Sequence, residues 1–167
     1  MKNITKIFAL AVVVLGFSAS TFAQSSQTAS ATATLVVPLS ITKTTDMDFG
    51  VVASSATAGT IVMSNAGAVS QTGGSSVISG ATSTAVFHVT GEGSESISVA
   101  YPTTLSLAGS VSGALSLSSI EADCGNSTTL SSGAKDIKFS AVLNIPANTI
   151  AGVYSNATGL VVTVNYN

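Results

Sequence analysis

Few residues in this chain have the type and spacing for chemistry. His88 is its only histidine and Cys124 its only cysteine. A structural zinc site draws about four ligands from Cys, His and carboxylates, so one chain cannot build a Cys/His centre. A hydrolytic triad would have to use His88, and no Gly-x-Ser-x-Gly elbow accompanies it. His88 also alternates with Phe87 and Val89, which places it on the opposite, solvent-facing side of a strand. Ser132-Gly133-Ala134-Lys135 has the Ser-x-x-Lys spacing, but the companion Lys-Thr-Gly is missing and serine is abundant throughout. Asp46 and Asp48 put two carboxylates on one strand face; calcium wants 6–8 oxygens, and a solvated strand edge is the simpler reading. Glu92 and Glu95 flank a glycine turn and read the same way. Cys124 has no intrachain partner and sits beside Asp123, which disfavours the thiolate. These residues lead us to expect no enzyme, no metal and no cofactor.

The charge pattern excludes further classes. Beyond the first 23 residues the cations are Lys43, Lys135 and Lys138, without any arginine, against seven acids. Neutralising a phosphate backbone takes clustered Lys or Arg. Nucleic acid is therefore not expected as a partner, nor is an anionic lipid surface.

The N-terminus sets the expected compartment. Lys2 and Lys6 precede an apolar run from Ile7 to Phe17, and Thr21-Phe22-Ala23 places small residues around a cleavage point. This is the pattern of a secretory signal peptide cut after Ala23. The run is shorter than the roughly 20 apolar residues a spanning helix needs. The expectation is a signal peptide over 1–23 and a single exported domain over 24–167, with no integral membrane span, located in the periplasm, at the cell surface or outside the cell.

Short strands must position whatever this domain does. Ala29, Ala31, Ala33, Leu35 and Val37 alternate up to Pro38. Leu39–Thr44 and Met47–Val52 read as extended pieces, Thr60–Ser64 follows a turn, and Val77-Ile78 reads as a short strand. Ala85, Phe87 and Val89 share one face, as do Ile97, Val99 and Tyr101. Leu105 and Leu107 continue the pattern, then Leu115 and Leu117. Ile137 to Ile145 is apolar at every odd position until Pro146, which cannot donate to a ladder. Leu160, Val162, Val164 and Tyr166 alternate at the C-terminal end. Period-two alternation broken by Gly, Ser, Asn and Pro predicts an all-β, immunoglobulin-like antiparallel sandwich of roughly 8–10 short strands.

Two stretches carry a resemblance. Ala33 to Gly50, ATLVVPLSITKTTDMDFG, resembles the opening of a bacterial secreted family called domain of unknown function 4402. Ala151-Gly152-Val153-Tyr154-Ser155 followed by Val161 to Tyr166 is similar to that family's close. The closing pattern, with its penultimate aromatic Tyr166, also resembles chaperone–usher pilins and spore-coat-U-like domains. That resemblance implies an incomplete sandwich, a periplasmic chaperone that holds the final strand, and a missing strand supplied by the next subunit. Residues 24–37 are then either the donor strand or the first strand of a self-complete domain.

The functional expectation is a non-catalytic structural or surface protein, a fimbria- or pilin-like subunit that assembles with itself or related subunits. The alternative is a monomeric binding module for carbohydrate or another surface ligand. Sugar sites favour aromatic platforms, and this chain has no tryptophan and only Tyr101, Tyr154 and Tyr166.

Overall fold

The computed structural model describes residues 25–167; the expected signal segment 1–23 and Gln24 lie outside the described residues. Contacts divide the chain into Met1–Thr34 and Leu35–Asn167. In the first unit, residues 25–34 carry neither helix nor strand.

The second unit is built of strands alone. In chain order they are β1 (Ser40–Thr45), β2 (Val51–Ala53), β3 (Gly59–Met63), β4 (Val69–Gly73), β5 (Ser76–Ser79), β6 (Val86–Thr90) and β7 (Ser96–Ala100). Then follow β8 (Leu105–Gly109), β9 (Ala114–Ala122), β10 (Ser127–Thr129), β11 (Ala134–Ile145), β12 (Tyr154–Ser155) and β13 (Thr163–Tyr166). All named pairs are antiparallel. The fold is an all-β antiparallel sandwich.

β11 is the spine, because its alternation is the longest and cleanest. Ile137, Phe139, Ala141, Leu143 and Ile145 are all buried, while the residues between them are exposed or half-buried. Its first half pairs with β6, and its second half lies between β3 and β9. The main sheet runs β1-β6-β11-β9-β8-β12, with β3 and β4 branching from β11. A second sheet, β10-β7-β13, supplies Ile97 and Val99 to the same core. β2 and β5 form a separate pair.

Phe139 anchors the packing. Phe87 meets its ring edge-on at 5.7 Å and Tyr101 does so at 5.1 Å. Such T-shaped pairs set the positive ring edge against a negative face and add roughly 0.5–1.5 kcal/mol each beyond area burial. The Phe139 N–H donates to the Ala85 carbonyl, and the buried Thr84 hydroxyl donates to the Phe139 carbonyl.

The elements differ from the sequence expectation in several places. The expected strand Met47–Val52 is broken: Gly50 takes φ 72°, and β2 begins only at Val51. β9 runs to Ala122, well beyond Leu117, because a bulge changes its phase. Leu115 and Leu117 point inward, but after Ser119 (φ 50°) the inward residues are Ile120 and Ala122. The β9–β11 register shifts at the same place. An extra residue in one strand flips the face of all that follow. Three short strands, β4, β10 and β12, also go beyond the expected set. Finally, residues 25–39 carry no strand, and the first paired strand is β1.

Candidate functional site

The alternating strands leave one side of the core uncovered. A cleft of about 1020 Å³ opens between two lips, Met47–Ser54 and Thr149–Ala157. The lips meet at one end, where the Ser54 hydroxyl donates to the Thr149 carbonyl (2.9 Å) and the Asn148 N–H donates to the Ser55 carbonyl (2.8 Å). The floor is core: Phe49, Phe87, Leu105, Leu107, Leu117 and Leu143 all line it. The rim is apolar as well, and Val51, Ile78, Ile150 and Val153 are between 54% and 69% exposed. Burial of such side chains is favourable, so an apolar rim over an apolar floor marks surface suited to covering.

Strand pairing explains why the cleft stays open. Among the described residues β2 pairs only with β5, and β12 only with β8. Both line the cleft, so each lip carries a strand with one unpaired edge. Such an edge presents free N–H and C=O groups and is a template for another strand.

A second arrangement lies at the root of the N-terminal segment. The Val37 N–H donates to the Glu92 carboxylate (3.0 Å) and its carbonyl accepts from the Tyr166 hydroxyl (2.6 Å). That hydroxyl also accepts from the Glu92 N–H (2.6 Å). Both backbone groups of Val37 are thus held, by a glycine-flanked turn and by β13. Gly91 is required here: a Cβ on it would lie 2.5 Å from the Tyr166 hydroxyl and 2.8 Å from the Leu39 side chain. Val37 itself is 53% exposed, and Leu35 is 88% exposed.

The remaining residues singled out in the sequence fall elsewhere. Of the alternating set before Pro38, Ala29, Ala31 and Ala33 precede the clasped Val37 in a segment without strand. Of the expected C-terminal strand, only Val164 and Tyr166 fall in β13, which begins at Thr163; Leu160 and Val162 precede it, Leu160 lining the cleft, and Val162, Val164 and Tyr166 pack half-buried against the core. His88 Nδ1 and Asp136 Oδ1 lie 2.6 Å apart across β6 and β11, on the outer face. Thr42 is register partner to His88, which makes a Thr–His–Asp row, but on an open sheet face. Asp46 pairs with Lys43 at 2.5 Å, and Asp48 accepts the Gly50 N–H, so the two carboxylates serve separate local contacts. Among the described residues no three His, Cys, Asp or Glu side chains gather for a metal ion.

Ser132, at φ 53°, lies in the turn before β11, and Lys135 is inside that strand. Cys124 occupies the turn after β9, half-buried; burial first, and then the Asp123 charge, push its thiol pKa up. Tyr101 meets Phe139 edge-on, Tyr154 donates to the Ile150 carbonyl on a cleft lip, and Tyr166 is in the clasp. Each of the three tyrosines thus has a structural contact.

Sequence reasoning missed Glu92 as a structural ligand and did not assemble the cleft. For Glu92 the only signal was its place between Gly91 and Gly93. The cleft floor was visible as Leu105, Leu107, Leu115 and Leu117, but only as strand faces.

The class that this geometry defines is an all-β antiparallel sandwich with an open apolar cleft and half-paired strands on its lips. A family described as Domain of unknown function (DUF4402) matches residues 39–166, and the chain belongs to that family. No curated protein and no solved structure matches it.

Proposed function

We propose that this chain is a non-catalytic structural subunit, exported through the inner membrane, that forms fimbria-like assemblies by β-strand addition. The observation that carries this reading is the open apolar cleft with an unpaired strand edge on each lip. Strand addition uses main-chain hydrogen bonds for affinity and alternate side-chain pockets for specificity. The segment before Pro38 supplies an alternating face, with Leu35 and Val37 as its large residues. Burying one such side chain stabilises by about 1.5–3 kcal/mol, and the alanines contribute less. A periplasmic chaperone that covers apolar surface before assembly is the partner this reading requires. The rival reading is a monomeric module whose cleft takes a surface ligand; the structural engagement of all three tyrosines makes a sugar the weaker choice.

The test is the size of the exported protein and its response to charge. Ala31→Asp with Ala33→Asp places two carboxylates on the inward face, and burying an unpaired carboxylate is strongly unfavourable. Size-exclusion chromatography and electron microscopy should show high-mass assemblies for the native chain and folded monomer for the double variant. A native protein that is purely monomeric and melts cooperatively would sink the reading.

A further inference from the structure

We propose that the β2–β5 ribbon is a movable strap over the cleft. It turns at the crossing of Gly50 and Gly80 while the opposite lip stays fixed, and the hydrogen bonds that Ser54 and Ser55 share with Thr149 and Asn148 are the latch that sets how far the cleft opens. This rests on the reading of the cleft as the contact site and adds what regulates access to it, whatever the occupant.

The two lips are attached very differently. Thr149–Ala157 is tied down along its length. The Thr149 hydroxyl donates to the Pro146 carbonyl (2.7 Å) and the Tyr154 hydroxyl to the Ile150 carbonyl (2.7 Å). The Ser110 N–H donates to the Val153 carbonyl (2.7 Å), the Val153 N–H donates to the Ser110 hydroxyl (3.1 Å), and β12 then pairs with β8 of the main sheet. The ribbon has no comparable ties. Among the described residues no backbone ladder joins β2 or β5 to either larger sheet. On one flank the Val77 N–H donates to the Gln71 side-chain carbonyl (2.8 Å); on the cleft flank there is the latch. Beneath it, the register partners Val52 and Val77 rest half-buried on the core. Apolar contact is non-directional, so this pair can roll on the core without breaking a bond.

The root of the ribbon is built to turn. Asp48 and Ser83 exchange both backbone hydrogen bonds (2.8 and 2.9 Å), and the Ser83 hydroxyl donates to the Asp46 carbonyl (2.8 Å), so both chains are fixed there. Just beyond, Gly50 (φ 72°) and Gly80 (φ 89°) lie against each other; a Cβ on Gly80 would stand 3.3 Å from the Gly50 Cα. Glycine moves through this region of φ and ψ at little cost. Hinges are a few element-terminal residues that absorb such changes. Two side by side let β2 and β5 turn together with their own ladder intact. At the far end Gly59 and Gly73 are register partners in the β3–β4 ladder, which supplies the second anchor. The ribbon is thus held at both ends and loosely between them. A roll about its length carries Val51 and Ile78, exposed on the rim, toward or away from the Leu105–Leu107 floor. Only the latch opposes it on the cleft side, and Ser54 and Asn148 both face solvent.

Distances between paired spin labels on the full exported chain test this. Cys124→Ser is the background, and labelled chain is diluted in unlabelled chain so that distances within one copy are read. Ile78→Cys with Val153→Cys spans the cleft from ribbon to fixed lip. Val62→Cys with Val153→Cys joins two fixed elements and is the control. The cleft pair should show the broader distribution. Ser54→Ala, which deletes one latch bond, should shift the cleft pair to longer distance and leave the control unmoved. In unlabelled protein the same change should quicken exchange at the Asn148 N–H roughly twofold to tenfold, the effect of losing one ordinary hydrogen bond. The Ser110 N–H, on the fixed lip, should keep its rate. A cleft pair as narrow as the control and indifferent to Ser54→Ala would overturn the strap and leave strand addition standing, because assembly is read separately by size-exclusion chromatography. A native chain that is monomeric but whose cleft pair moves would overturn strand addition and leave the strap. Equal movement of both pairs would mean general loosening and would overturn the fixed lip.

Discussion

The surroundings of Phe139 and the floor of the cleft are built from the same kind of strand, yet only one is finished. Around Phe139, strands from two sheets face each other, and Ile61, Val89, Ile97 and Ile137 are fully shielded from water. Around the cleft, Leu105 and Leu107 alternate just as cleanly, but they remain half-buried, and Val51, Ile150 and Val153 stand exposed above them. Alternation creates an apolar face; it does not supply the layer that covers it. The difference teaches that stability belongs to the first region and availability for contact to the second.

The largest effect should come from the finished side. Phe139→Ala removes a fully buried ring and its two edge-on partners, at a cost of about 3–5 kcal/mol. Urea denaturation should show the midpoint falling steeply or the fold lost. Leu107→Ala, on the cleft wall, should cost the monomer much less than the roughly 2–5 kcal/mol typical of a Leu→Ala change in a closed core. It should instead weaken assembly; equal losses of monomer stability at the two sites would erase the distinction between the regions.

The clasp falls between these extremes. Tyr166→Phe deletes a hydroxyl that serves both the Val37 carbonyl and the Glu92 N–H. Leaving a shielded polar group unpaired costs about 1–3 kcal/mol, toward the lower end here because Val37 reaches solvent. Hydrogen exchange at the Glu92 N–H should quicken. Unchanged exchange would mean that the clasp does not hold the root.

Smaller still is the His88–Asp136 pair. Both side chains are about half exposed, and pairs of that kind contribute about 0–1 kcal/mol. Asp136→Asn should leave the melting temperature nearly unchanged and assembly intact.

The smallest effect concerns Cys124. Burial raises its folded-state pKa above the ordinary value of 9.0. The neutral thiol is therefore favoured in the fold, and its contribution is complete below the unfolded pKa and lost as pH rises through the folded one. Alkylation at pH 8 should be slow in native protein and fast in urea. Cys124→Ser should flatten any loss of stability above pH 9 without disturbing the fold; equal native and unfolded alkylation rates would refute the shielding.

Much of this protein was determined by its sequence alone. Alternation in Ile137 to Ile145, in Ala85 to Val89 and in Ile97 to Tyr101 specified the inward faces, because a strand's side chains have a period of two whatever surrounds them. Glycines and prolines marked the breaks. Other features depended on partners distant in the chain. The bulge at Ser119 rephased β9 against β11, and no local signal in a Ser-Ser pair announces that. Glu92 became a structural ligand only when β13 and Val37 arrived beside it, from 74 and 55 residues away. The cleft, likewise, is a property of what fails to cover Leu105 and Leu107. An apolar face is written locally, in the order of residues, but its cover comes from elsewhere in the chain or from another molecule, so only the tertiary structure decided which face was left open.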